Sequence, residues 1–240
     1  MTPDFTAPGE LVSRLREQGY ALLSPQGVCE LAGCELAALD ALRSGWNDLP
    51  PDTHLKDGGH YRRRRHSCFV TQGGSLEQVP HRAHWQPVEY NALHGGMERW
   101  FEPMEPATVA SPAWGKLLSA LGEVSSQLKG PRPWYVEAHQ FRIDTTDGIG
   151  RPTPEGAHRD GVDVVAVFLV GREGIKGGET RVFEANGPAG QRFTLTEPWS
   201  LLLLDDERVI HESTPIQPLA PNAHRDTLVL TYRANRFQGA

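Results

Sequence analysis

From Trp134 to the C-terminus the apolar residues recur with a period of two, and this pattern restricts the fold more than any other feature. Residues 134–144, 162–170, 179–184, 192–196, 199–204, 208–214 and 226–234 all read as short strands. Gly148-Ile149-Gly150, Gly177-Gly178, Asn186-Gly187 and Asp205-Asp206 supply turns between them. Strands this short and this evenly spaced predict a sandwich or jelly roll. Upstream the period is helical: residues 8–18 stop at Gly19, and 28–42 place Leu31, Leu36, Leu39 and Leu42 on one face. Residues 112–128 do the same with Leu117, Leu118, Leu121 and Val124. A short strand is expected at 20–23 and another at 61–70, within an otherwise loop-like stretch from 47 to 112. The expected class is mainly β with flanking helices.

With 240 residues the chain can bury a core without disulfide or metal staples. No linker or repeat divides it, so a single domain over 1–240 is expected, with 1–130 as the helical, loop-rich flank and 131–240 as most of the β core. A formal net charge of −6 argues against a dedicated nucleic-acid binder. No stretch approaches the roughly 20 apolar residues of a membrane span, and no basic segment leads into an apolar run at the N-terminus. Cys29, Cys34 and Cys68 are too few for a disulfide framework and odd in number, which fits a reducing compartment. These features predict a cytoplasmic protein with a small-molecule partner, and they say nothing about oligomeric state.

Among ten histidines, His158-Arg159-Asp160 is notable because residues two apart on a strand project to one face. Chance supplies about one such triplet in this composition, and the chain has two, the second being His224-Arg225-Asp226. Context separates them. The first is followed by an apolar strand, a hairpin turn, two more strand-like segments and then His211; no histidine follows the second. Two imidazoles and one carboxylate with open positions opposite form the facial triad of non-haem Fe(II) oxygenases, whereas a structural zinc site would be closed by four ligands. His158, Asp160 and His211 are therefore the candidate metal ligands. On the last strand Arg225, Thr227, Val229 and Thr231 share a face, and a guanidinium beside threonines suits a carboxylate in a polar lumen. Arg233 lies on that face too and is the fallback.

These residues, together with His139-Gln140-Phe141-Arg142, Gly177-Gly178, Leu195-Thr196-Glu197-Pro198 and Thr214-Pro215, resemble the Fe(II)/2-oxoglutarate-dependent dioxygenases. Over the last 110 residues or so the chain is similar to the bacterial branch that hydroxylates free L-amino acids, the L-isoleucine 4-hydroxylase group. Earlier in the chain the resemblance rests mainly on Arg62 and Arg64. It implies a double-stranded β-helix (jelly-roll, cupin-like) core with Fe(II) at its mouth. It also implies 2-oxoglutarate as co-substrate with its far carboxylate on Arg225, and O₂ consumed in hydroxylating a C–H bond.

Thr227, and Gln140 on the family's string, are candidates for 2-oxoglutarate contact. Arg62, Arg64 and Arg142 are candidates for a substrate carboxylate. For Gln140 and Arg142 a buried hydrogen-bond network is the competing reading. For Arg62 to Arg65 the competitors are a nucleic-acid patch or a strand edge blunted by charge. Glu137 and Asp163 are the acidic side chains that an ammonium group would need, and no catalytic residue is expected beyond the metal ligands. The residues suggest a free L-amino acid substrate, aliphatic first by the resemblance, against a larger peptide or N-substituted acid. Two other classes compete: a cupin-like metalloenzyme that does not use 2-oxoglutarate, and a non-catalytic β-sandwich binding module.

Overall fold

The computed structural model describes residues 3–239. In chain order the elements are α1 (Leu11–Gln18), β1 (Tyr20–Leu23), α2 (Pro25–Ala32), α3 (Leu36–Asp40), β2 (Arg62–Gln72), β3 (Ser75–Gln78), α4 (Pro106–Val109) and α5 (Pro112–Lys129). There follow β4 (Trp134–Asp144), β5 (Val164–Glu173), β6 (Ile175–Gly177), β7 (Thr180–Glu184), β8 (Gly190–Phe193), β9 (Leu201–Asp205), β10 (Val209–Ser213), β11 (Ile216–Pro218) and β12 (His224–Ala234).

Seven strands form one antiparallel sheet in the order β1-β9-β5-β12-β4-β2-β3. A three-stranded sheet, β10-β7-β8, and the pair β11-β6 face it. Leu22, Val165, Leu169, Leu202 and Leu204 of the large sheet pack directly on Val182, Phe193 and Val209 of the small one. This is the double-stranded β-helix. The outer face of the large sheet buries Trp134, Val136, Ala138, Leu228 and Leu230 against Leu11 and Leu15 of α1 and Leu117, Leu118 and Leu121 of α5. Covering that face with helices leaves the space between the sheets for polar chemistry.

The expected helix over 28–42 is in fact interrupted. Ser24 caps α2 by accepting the Gly27 amide at 3.2 Å, and Gly33, at φ 62°, ends it in the left-handed conformation that glycine adopts without steric cost. α3 and a 3₁₀ turn, Ala41–Trp46, then carry the apolar face onward. The expected turn at Gly177-Gly178 is present, with both glycines at positive φ, and a Cβ on Gly177 would lie 2.2 Å from the Pro215 carbonyl. The short strands β3, β6 and β11 were not expected from the sequence; three or four residues are too few to show a period.

Candidate active site

The cavity between the sheets is built by strand alternation. On β4 the residues in phase with the buried apolar set Trp134, Val136 and Ala138 face the helices, while Glu137, His139, Phe141 and Ile143 face the cavity. The neighbouring strands add Arg62 and Arg64 from β2 and Arg225, Thr227, Val229 and Thr231 from β12. Register aligns them: Ile143 pairs with Arg62 on one side and Arg225 on the other, and Phe141 pairs likewise with Arg64 and Thr227.

His158, Asp160 and His211 converge at one end of this cavity. His158 and Asp160 lie on the approach to β5, not on a regular strand as expected, and an isolated bridge pins His158 to His211 of β10. His158 Nε2 lies 3.9 Å from Asp160 Oδ1, and His211 Nε2 lies 3.9 Å from Asp160 Oδ2. His158 Nδ1 donates to the Gly156 carbonyl at 2.9 Å, which leaves the Nε2 lone pair free. Burial, followed by the charge of His158, keeps His211 well below the usual imidazole pKa and therefore neutral. Asp160 is held from both ends. Gln86 Nε2 donates to Oδ1 at 3.3 Å, while the amides of Asp160, Gly161 and Val162 donate to Asp206 at 3.0, 2.8 and 3.1 Å. Two imidazole nitrogens and one carboxylate, all within 4.8 Å, make a donor set that fits Fe(II) with coordination positions to spare.

Arg225 is buried in the cavity wall and has no ion pair among the described residues. Burial, with Arg172 alongside, lowers its pKa to about 10, so it stays cationic and lacks a counter-charge. That is the environment a buried dicarboxylate co-substrate requires. Arg62 and Arg64 share one carboxylate behind the wall: Arg62 Nε donates to Asp52 at 2.7 Å, and Arg64 lies 3.8 Å from the same oxygen. Burial would raise the Asp52 carboxyl, but the two guanidiniums hold it below its usual range. Arg64 is stacked over Phe101 and Phe141 with its carbon 3.8 and 4.5 Å from the ring centres, and its Nε has no partner.

Gln140 and Arg142 do not reach the cavity, which corrects the expectation that they touch 2-oxoglutarate or substrate. They are in phase with Ala138 and so face the helical side. Gln140 is buried under the 3₁₀ turn at Gly45, and Arg142 makes a two-pronged pair with Asp226 at 2.8 and 2.7 Å. Asp163 also lies off the cavity and accepts the Ala234 amide at 2.8 Å. Arg233 lines the mouth. Among the cavity residues not expected from the sequence are His84, Gln86, Arg99 and His139. His139 was legible, since the apolar phase of β4 already assigns it inward. The other three come from the aperiodic stretch between β3 and α4, where no period marks a face; His81-x-x-His84 has metal spacing only on a helix, and Pro80 and Pro87 crowd it.

Comparison with known proteins agrees with this geometry. The 2OG-Fe dioxygenase family profile matches residues 43–231, and the chain belongs to that family. It is a 2-oxoglutarate-dependent dioxygenase, and the family uses Fe(II), 2-oxoglutarate and O₂. A crystal structure of a bsmA homolog from Methylobium petroleophilum is 57% identical and aligns 99% of this chain with 97% of that one at a TM-score of 0.94. IDO from Bacillus thuringiensis is 18% identical over 98% of this chain and 99% of that one, with a TM-score of 0.77. The Fe(II)/α-ketoglutarate-dependent dioxygenase TqaL is 20% identical over 94% and 86%, with a TM-score of 0.72. The last two likenesses are of fold. No curated protein matches the chain. No helix among the described residues is long and apolar enough to cross a membrane.

Proposed function

We propose that this dioxygenase hydroxylates the side chain of a small free L-amino acid, aliphatic side chains being the first choice. One observation carries the reading: two separate cationic stations line the same cavity, Arg225 on β12 and the Arg62–Arg64 pair on β2, with β4 between them. Two strand spacings put them roughly 10 Å apart. One station suits the far carboxylate of 2-oxoglutarate and the other a substrate carboxylate.

His158, Asp160 and His211 would hold the iron, which with 2-oxoglutarate and O₂ supplies the oxidising chemistry that yields succinate, CO₂ and a hydroxylated carbon. The remaining residues position and exclude. Arg225 and Thr227 would fix the co-substrate. Arg64, clamped between two aromatic rings, would fix the substrate carboxylate so that one C–H bond is aimed at the metal. Val167 and Val229 line the wall beside the stations and limit water access.

The test is succinate release with Fe(II) and 2-oxoglutarate across the twenty amino acids, followed by the same assay on Arg64→Ala. The amino acid that stimulates release in the wild type should bind Arg64→Ala at least about tenfold more weakly, because a charge-assisted hydrogen bond is lost, with 2-oxoglutarate affinity unchanged. Stimulation by peptides or other acids and by no free amino acid would refute the substrate class.

A further inference from the structure

Apart from the candidate iron triad there is a second buried cluster: His84, His139 and Glu137 in the cavity wall, with His66 behind them. The three imidazoles are directed at one oxygen. His66 Nε2 lies 3.1 Å from Glu137 Oε2, His84 Nδ1 contacts the same atom, and His139 Nε2 is 3.8 Å from it. His139 stacks on His66 and meets His84 edge-on, each at 4.7 Å between ring centres, so the cluster is mutually braced.

Proton placement decides what such a cluster can bind. Arg64 Nη2 lies 2.7 Å from His139 Nδ1, and a guanidinium can only donate. His139 Nδ1 is therefore the acceptor and its Nε2 carries the hydrogen, directed at Glu137. A nitrogen bearing hydrogen has no lone pair for a metal, so the four residues are not a closed zinc-type cage. They are hydrogen-bond donors arranged around an anion. Burial holds all three imidazoles below the usual histidine range, with His84 at about 4, so they are neutral at physiological pH. Burial would raise the Glu137 carboxyl, but His84 and His66 bring it far below the normal range. Glu137 is a fixed carboxylate with no cationic hydrogen-bond partner. Among the described residues the recorded hydrogen bonds all fall on Oε2, and the side chain lines the cavity.

Accordingly, we propose that Glu137, oriented by His66, His84 and His139, is the recognition site for the substrate's ammonium group. This deepens the amino-acid reading and rests on it. The cavity lining carries both signs: the guanidiniums of Arg62, Arg64, Arg99, Arg225 and Arg233 and the carboxylates of Glu137, Glu155 and Asp160. A free α-amino acid has a carboxylate and an ammonium, which match Arg64 and Glu137. An N-acyl or deaminated acid would leave Glu137 desolvated and unpaired, which is costly.

The experiment is anaerobic calorimetry on the Fe(II)- and 2-oxoglutarate-loaded protein. The probes are L-isoleucine, L-leucine and L-valine, each compared with its N-acetyl derivative and its deaminated analogue. Each free amino acid that binds should do so about ten- to a hundredfold more tightly than its two derivatives. Glu137→Gln keeps an oxygen for the imidazoles and removes the charge. It should reduce that preference to about threefold or less, mainly by weakening the free amino acid. Tighter binding of an N-acetyl or deaminated form to the wild type would overturn the inference and leave the carboxylate station standing, whatever the variant's folding. An unchanged preference in a folded Glu137→Gln would also overturn it. If neither free acids nor derivatives bind, the amino-acid reading falls and takes this inference with it. Elemental analysis adds a further check: a second transition metal per chain, lost in Glu137→Gln, would overturn the ammonium assignment in favour of a metal site.

Discussion

His158 and His211 exchange a pair of backbone hydrogen bonds, His158 N–H to the His211 carbonyl at 3.1 Å and the reverse at 2.9 Å. Two candidate ligands distant in sequence are thus fixed relative to each other by main chain. The side chains can be removed without breaking that bridge. His158→Ala, Asp160→Ala and His211→Ala should each abolish turnover and iron retention while leaving the far-ultraviolet dichroism close to wild type. Full activity in His211→Ala would refute the assignment of the triad.

Arg225 is a buried cation with no counter-charge among the described residues, so Arg225→Gln should act on the co-substrate selectively. Losing a buried charge-assisted partner costs about 2–5 kcal/mol, or at least roughly thirtyfold in 2-oxoglutarate affinity. The 2-oxoglutarate dependence of succinate release is the readout, and the substrate requirement should move much less. An unchanged dependence would pass the role to Arg233, which also lines the cavity.

Gln86 joins Arg99 to Asp160: Arg99 Nη2 donates to Gln86 Oε1 at 2.9 Å, and Gln86 Nε2 donates to Asp160 at 3.3 Å. That contact makes it the candidate positioning residue for Asp160. Gln86→Ala should weaken Fe(II) binding by about 10–100-fold, in line with the loss of other groups that orient metal ligands. Metal titration followed by tryptophan fluorescence or calorimetry would detect it. Gln86→Glu should be worse than Gln86→Ala, because a second carboxylate would oppose Asp160.

Burial holds the folded pKa of His84 at about 4, against 6.5 for the unfolded chain. Between these values the unfolded chain binds a proton and the folded one does not, so stability falls as pH drops from about 6.5 to about 4. The contribution of His84 is up to about 3 kcal/mol. Comparing denaturant unfolding of the wild type and His84→Gln at pH 7.5, 5.5 and 4.5 isolates it from other titrating groups. The stability difference between the two should narrow as pH falls. A difference that stays constant across that range would contradict a neutral, buried His84.

The sequence shows a sandwich or jelly roll and the candidate iron ligands for the same reason: alternation and spacing survive in one dimension, while the double-stranded β-helix is what the family resemblance implies. The face of β12 bearing Arg225 and Thr227 could be assigned because its other face is so apolar, with Leu228, Leu230 and Tyr232. On β4 both faces stay open in the sequence, because Gln140 and Arg142 are polar and look like lining. In fact Arg142 pairs with Asp226 on the sheet's other side. Trp134, Val136 and Ala138 held the correct phase, since an indole and a valine in alternation mark the side against the helices. Gln86 and Arg99 could not be found, because they occupy backbone without a period and reach the site through the tertiary fold alone.

The most direct test of the whole account is a single stoichiometric assay. Iron-loaded protein is supplied with 2-oxoglutarate and O₂, and each of the twenty free L-amino acids is tested in turn. Succinate is quantified together with the mass of the recovered amino acid. The account predicts that at least one small amino acid, an aliphatic one first, gains one oxygen atom in a one-to-one ratio with succinate, and that His211→Ala gives neither product. Succinate formed at the same background rate with every amino acid, with none gaining oxygen, would contradict it.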